Sequence, residues 1–298
     1  MNRIAAIGVF DGVHQGHRYV LDRLKSHARR YGLKPMVVTF DPCPQRYFRS
    51  KNFPGLITPV AQRRSLIEKE GIDVLILPFD DNLRRQTAGE FLRYLHEHHQ
   101  VERLLLGYDQ RFGSDALPST YAYAKAAQNA GIKLTRLQPR PRTDVTASST
   151  AIRRALSQGD IGQAASLLGR PYTLSGTVVH GQGLAKKLGY PTANLQIDSN
   201  VMLPKTGVYI ATALDDSLTA VVNIGHRPTV EAETDAPITI EAHIIDYQGP
   251  SLYGKELTLS FISRLRDEQH FTSLEQLTAA ISADIAAAKA LSIDLCGL

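Results

Sequence analysis

The sequence predicts an α/β domain with a parallel sheet, followed by an all-β antiparallel domain and a closing helix. Three observations carry this. In the first half, short apolar runs alternate with segments of helical period. After about Gly169 the runs become rich in β-branched residues and succeed one another with no long helix between them. At 298 residues the chain is long enough for two domains, here expected at 1–169 and 170–298.

Taken in order, "IAAIGVF", "PMVVTF", "DVLILPF", "RLLLG" and "KLTRLQ" read as the buried strands of the first domain. Between the first two, Val20, Leu21, Leu24 and Ala28 share one helical face. Thr87 with Glu90 is a capping box opening "TAGEFLRYLHEHH". Ser119 is placed to cap "TYAYAKAAQNAG", which ends at Gly131. In the second domain, "YTLSGTVVHG", "GVYIATAL", "LTAVVNIG", "ITIEAHIIDY" and "ELTLSFISRLR" read as strands of a barrel or sandwich. Ser273 and Gln276 form a second capping box ahead of the last helix.

Composition is that of a globular protein, with 43% hydrophobic and 21% charged residues. The net charge of +5 leans toward anionic partners. Basic residues come as scattered pairs, such as Arg63-Arg64 and Arg153-Arg154, rather than in the concentrated run of a duplex-binding arm. Phosphorylated small molecules suit this excess, and no nucleic-acid partner is expected. The two cysteines, Cys43 and Cys296, lie far apart without metal-ligand spacing, and no apolar run approaches bilayer length. A cytoplasmic protein with no membrane partner is the expectation.

The stretch "IGVFDGVHQGHRYVLDRL" sits between the first strand and the first helix. Gly8 and Gly12 let backbone approach a ligand closely. A helical turn beginning near His14 puts His14 and His17 on one side, beside unpaired backbone N–H groups that suit a phosphate. Two imidazoles there can donate hydrogen bonds to charge developing on a transferring phosphoryl group. The plainer alternative is a solvent-facing pair of turn histidines. Later, "ASSTAIRRAL" combines a hydroxyl-rich helix start with Arg153, either a second anion seat or an ordinary N-cap with a solvated basic face.

Together, "GVFDGVHQGH" and "SSTAIR" resemble the adenylyltransferase module of bacterial bifunctional riboflavin kinase/FAD synthetases, within the HxGH nucleotidyltransferase superfamily of Rossmann-like fold. "TFDPCP" and "GYDQRFG" fall where that family carries two further motifs. The resemblance implies that Gly8, Phe10, Asp11, Gly12, His14 and His17 surround ATP. It also implies that Asp109 contacts the nucleotide and that Ser149, Thr150 and Arg153 hold its phosphates. Cys43 stands where the family often has histidine, Gln110 where it has phenylalanine, and "SDALPST" lacks an Arg and a Gly usual there. These departures cluster where the flavin or the base would lie.

In the second domain, "HGQGLAKKLGYPTANLQI" joins a glycine-rich loop carrying Gly181 and Lys186 to an extended segment. Thr192 and Asn194 alternate, so a hydroxyl and an amide oxygen share one face. That is a fair hard-cation site if phosphates complete the shell; otherwise it is a polar hairpin. "GLAKKLGYPTANL", "LPKTGVYIA", "VVNIGHRPTV", "IEAHIIDYQGPSLYGKEL" and "LRDEQHFTSLEQL" follow the order of riboflavin kinases, covering most of Gly176 to Leu277. The resemblance implies a six-stranded antiparallel barrel with a C-terminal helix. It implies that Thr192 and Asn194 hold Mg²⁺ and ATP phosphates, and that Glu241 is the general base for the ribityl hydroxyl. A structural glutamate paired with a lysine is the other reading of Glu241. Asn223 and Arg266 are implied on the flavin side. Lys186 replaces the family's usual arginine, keeping charge without the bidentate fork.

The resemblance as a whole implies two steps. Riboflavin and Mg-ATP give FMN and ADP, and FMN with a second ATP gives FAD and pyrophosphate. A kinase with a retuned first domain, and a nucleic-acid-binding protein, are the rival readings.

Overall fold

A computed structural model describes the chain except residues 50–52, 108–109, 139–146, 182–184, 186–187, 227–237 and 297–298, and gives the backbone alone for 292–296. The chain divides into two compact units, Met1–Ser149 and Thr150–Leu298. Asp109 and Lys186 lie outside the described residues.

In the first unit β1 (Arg3–Ile7), β2 (Lys34–Asp41), β3 (Asp73–Pro78), β4 (Val101–Leu106) and β5 (Lys133–Arg136) form a parallel sheet in the order β3-β2-β1-β4-β5. Strand residues alternate between two helical layers. Ile4 and Ala6 pack with Leu21, Leu24 and Ala28 of α1 (Gln15–Tyr31) and Ile67 of α3 (Val60–Glu68). Ala5 and Ile7 pack with Phe91, Leu92 and Leu95 of α5 (Ala88–His99) and Ala127 of α6 (Thr120–Asn129). The short helices α2 (Pro44–Phe48) and α4 (Asp81–Arg85) follow β2 and β3. The strand order reverses between β1 and β4, which opens a crevice beyond their carboxyl ends where ligands of such sheets bind. The loop from Gly8 to His14 lies there.

Helix starts follow their sequence signals. The Thr87–Glu90 box is fully formed, and Ser119 Oγ accepts from Ala122 N at 3.1 Å. Ser273 Oγ accepts from Gln276 N, but the Gln276 side chain reaches Thr272 N at 3.2 Å instead of closing on the cap residue itself.

Helices α7 (Ser149–Gln158) and α8 (Ile161–Leu168) precede the barrel. The expected change of architecture at Gly169 falls directly after α8. The compact division falls before it, because α8 packs on β6 (Tyr172–Val179) and β11 (Glu256–Arg266). With β7 (Ala193–Gln196), β8 (Gly207–Ala213), β9 (Leu218–His226) and β10 (Ile238–Ile244) these close a six-stranded barrel in the order β10-β7-β6-β11-β8-β9. Every pair is antiparallel. The closing helix α9 (Leu274–Cys296) lays Ala288 against Val208, Ile210, Val221 and Ile245 on the barrel's outer face. Among the described residues no helix is long and apolar enough to cross a membrane.

Candidate active sites

The first site is built by the turn after β1. Val13 N donates to Phe10 O at 2.9 Å, and the turn holds Phe10, Gly12 and Val13 at φ of 53°, 88° and 41°. Glycine adopts such dihedrals freely; phenylalanine and a β-branched valine do so only under constraint. The constraint is visible. A Cβ on Gly8 would lie 2.9 Å from the Phe10 ring, so only glycine lets that ring fold back on the backbone, and the ring centroid then sits 5.1 Å from that of His17. Asp11 is buried, with its carboxylate accepting from Ile57 N at 3.1 Å and Thr58 N at 3.0 Å. Its carbonyl accepts from Ser149 Oγ at 3.0 Å. Asp11 thus ties three chain segments together, and shapes the site with both carboxylate oxygens engaged.

His14 is the N-cap of α1. Its Nδ1 accepts from His17 N at 3.3 Å, so the neutral ring carries its proton on Nε2. The two imidazoles stack at 3.7 Å between centroids, 20° from parallel. Gly16 permits this packing, since a Cβ there would meet Ala147 O at 2.8 Å and the His14 ring at 3.1 Å. Burial, followed by the charges of His14 and Arg63, holds the His17 pKa well below the ordinary 6.5. His17 is therefore a neutral hydrogen-bonding group at neutral pH.

The sign of this shift sets a stability trend. A histidine with a depressed folded-state pKa binds its proton more readily once unfolded, so acid below about pH 6.5 favours unfolding. The wild-type protein is expected to lose thermal stability on crossing from above pH 6.5 to below it. His17→Gln should flatten that slope, and parallel melting curves for the two proteins would remove His17 as its source.

Sequence reasoning passed over Arg63, one half of an apparently solvated pair. It is 1% exposed on the first turns of α3, donates from Nη2 to Phe40 O at 3.1 Å, and has Nε and Nη1 buried without hydrogen-bond partners among the described residues. Nothing in a basic pair signals burial. Its neighbour Arg64 behaves as expected, pairing with Glu68 at 2.7 Å on the surface. Gln110, the departure from phenylalanine, donates to Ile7 O and accepts from Gly107 N at 3.3 Å, bridging the ends of β1 and β4. Cys43 is buried at the N-cap of α2. Thr150 and Arg153 stand on the first turns of α7, in the second unit.

The second site lies on the barrel wall. Asn223 on β9 pairs across the ladder with Glu241 on β10, and Glu241 pairs in turn with Asn194 on β7. Directly opposed residues of antiparallel strands point to the same face, so these three polar side chains form one row. Thr192 shares that face two residues before Asn194. The Gly181 Cα lies directly against the Asn194 amide; any Cβ there would collide with it. Gly181, Thr192 and Asn194 line a cavity of about 210 Å³ with Tyr247, Leu252 and Tyr253. His180 stacks on Tyr253 at 3.9 Å. No group of three or more His, Cys, Asp or Glu able to hold a metal occurs among the described residues. A hydroxyl and an amide oxygen alone are an incomplete shell, which fits a hard cation arriving already bound to phosphate oxygens.

Arg266 has its partners within the same unit. Its Nε and Nη2 donate to the two carboxylate oxygens of Asp284 at 3.0 and 2.8 Å, while Nη1 donates to Asp267 O. The fork ties β11 to α9, and the guanidinium also lies over the Phe271 ring at 5.9 Å.

Known proteins match both halves. The FAD synthetase family profile matches residues 1–151 and the riboflavin kinase (flavokinase) profile residues 168–292. A bifunctional riboflavin kinase/FMN adenylyltransferase of Pseudomonas fluorescens is 40% identical over 293 residues, covering 97% of this chain and 93% of that protein. The protein of that description from Escherichia coli K12 is 36% identical, covering 94% of this chain and 90% of its own length. A crystal structure titled as a macrolide-efflux protein from Streptococcus pneumoniae superposes with a TM-score of 0.83 at 27% identity, over 97% of this chain and 94% of that one. That likeness is one of fold. With two stacked histidines in one unit, a Thr/Asn/Glu row in the other, and relatives matching over nearly their whole length, the chain belongs to the bifunctional riboflavin kinase/FMN adenylyltransferase family.

Proposed function

We propose that the family's two reactions are divided between the two groups of residues described, with the functional division at Gly169. At the barrel, Thr192 and Asn194 would hold Mg²⁺ carried in with ATP, and Glu241 takes the proton of the ribityl hydroxyl as its oxygen attacks the γ-phosphorus and the bond to the β,γ-bridging oxygen breaks, releasing ADP. Magnesium there supplies charge neutralisation at the phosphates. Asn223, opposite Glu241, orients the base or the flavin. In the first unit, His14 and His17 donate hydrogen bonds to the ATP phosphates while the FMN phosphate displaces pyrophosphate from the α-phosphorus. Positioning and electrostatics suffice, since the FMN phosphate is itself the nucleophile. Gly8, Phe10, Gly12 and Asp11 shape that pocket. By sequence resemblance Asp109 is assigned to the nucleotide, Ser149, Thr150 and Arg153 to its phosphates, Lys186 to the grip on ATP in the barrel, and Arg266 to the flavin side through its neighbours. Riboflavin, FMN, FAD and ATP are the proposed partners, and the cytoplasm is the proposed location.

The observation that carries this reading is the stacked pair of histidines on the switch-point loop. It bears on the one step separating a bifunctional enzyme from a kinase with a retuned first domain. The departure at Gln110 favours that second reading, but its side chain is absorbed into hydrogen bonds at the ends of β1 and β4. Incubation with riboflavin and Mg-ATP should give FMN and then FAD, resolved by chromatography. FMN accumulating with no FAD would leave the kinase alone.

A further inference from the structure

The kinase assignment makes Thr192 a metal and phosphate ligand, yet Thr192 precedes β7 and has no ladder partner among the described residues. The β10–β7 ladder contains two pairs, Glu241 with Asn194 and Ala242 with Ala193. Continuing that register would set His243 opposite Thr192, but there the backbone pairing stops. Pro191 is one reason, because it contributes no N–H to a ladder.

The His243 side chain fills the gap. Its Nδ1 lies 2.8 Å from Pro191 O, and since a carbonyl can only accept, Nδ1 carries the proton. The ring is held from the other side. Tyr190 meets it edge-on at 5.8 Å with 83° between planes, and the Tyr190 hydroxyl bonds Ser282 Oγ of α9 at 2.7 Å. Val221, opposite His243 on β9, is buried against Ala288 of the same helix. The two residues before Thr192 are therefore strapped to β10 and α9 by side chains.

We propose that His243 is a positioning residue for phosphoryl transfer: its Nδ1–H on Pro191 O continues the β10–β7 pairing by one residue and fixes where Thr192 presents its hydroxyl to Mg-ATP. The inference rests on the kinase reading above, and deepens it by adding a residue that touches neither metal nor substrate. Its effect belongs to Mg-ATP binding rather than to deprotonation of riboflavin, because Glu241 is held by its own backbone pairs on both sides.

The test compares His243→Ala and His243→Asn in the full chain. The asparagine amide can place an N–H close to where Nδ1–H stands, without the imidazole. His243→Ala should raise KM for Mg-ATP in riboflavin phosphorylation about tenfold, the loss of one well-made hydrogen bond at the site. KM for riboflavin and the rate of FAD formation from supplied FMN should hold. His243→Asn should recover most of the Mg-ATP KM. Unchanged Mg-ATP KM in His243→Ala would overturn the proposal. Equal loss in both variants, tracking lowered melting temperature, would do so as well, since it marks a merely structural contact. Thr192→Ala, assayed alongside, separates the two levels. If it leaves Mg-ATP KM at the wild-type value, the metal assignment itself has failed; if only His243 is silent, the positioning role has.

Discussion

His17→Ala is expected to abolish conversion of FMN to FAD, by about 10²- to 10³-fold or more if each imidazole is worth one preorganised donor to the transferring group. Phosphorylation of riboflavin in the same preparation should continue at the wild-type rate. The kinase rate controls for the second unit only, so an unchanged melting transition of the first unit is the control that excludes its unfolding. His14 needs a different substitution, because it caps α1 through Nδ1 as well as facing the site. Alanine there would remove a helix cap and a donor at once. Asparagine is a strong capping residue, so His14→Asn should keep α1 intact and still lose FAD formation. Either variant making FAD at the wild-type rate would remove that histidine from the chemistry.

Glu241→Gln is expected to give the mirror image. Loss of a general base costs about 10²- to 10⁴-fold, so FMN formation should fall by that order while supplied FMN is still converted to FAD. Glutamine preserves size and one acceptor oxygen while removing the charge, and the row from Asn223 to Asn194 is held by backbone pairing that the substitution leaves in place. A kinase rate within a few-fold of wild type would reassign Glu241 to a structural role and leave the base to be found elsewhere.

Much of this architecture was legible in the sequence because its signals are local. The strand runs, the caps at Thr87 and Ser119, and the α1 face of Leu21, Leu24 and Ala28 depend on residues a turn apart. The glycine-bounded loop with His14 and His17 was legible for the same reason. What escaped depends on distant partners. Helices α2 and α4 are five residues each, too short to show a period. Arg63 reads as a surface charge until β2 brings Phe40 O to it. Nothing along the chain shows that the Asp11 carboxylate accepts from the amides of Ile57 and Thr58. Nor does it show that Arg266 pairs with Asp284 of α9. The alignment of Asn223, Glu241 and Asn194 is invisible along the chain, since nothing local states which residues of β9, β10 and β7 stand opposite one another.

That alignment has a genetic consequence. A closed barrel has no edge at which one strand can slide alone, so inserting or deleting a single residue within β10 would turn Glu241 toward the apolar interior beside Val222 and Ala193. Such a frame error would silence flavin phosphorylation with every named side chain still encoded. A change of strand length here is expected to cost as much as the loss of Glu241 itself.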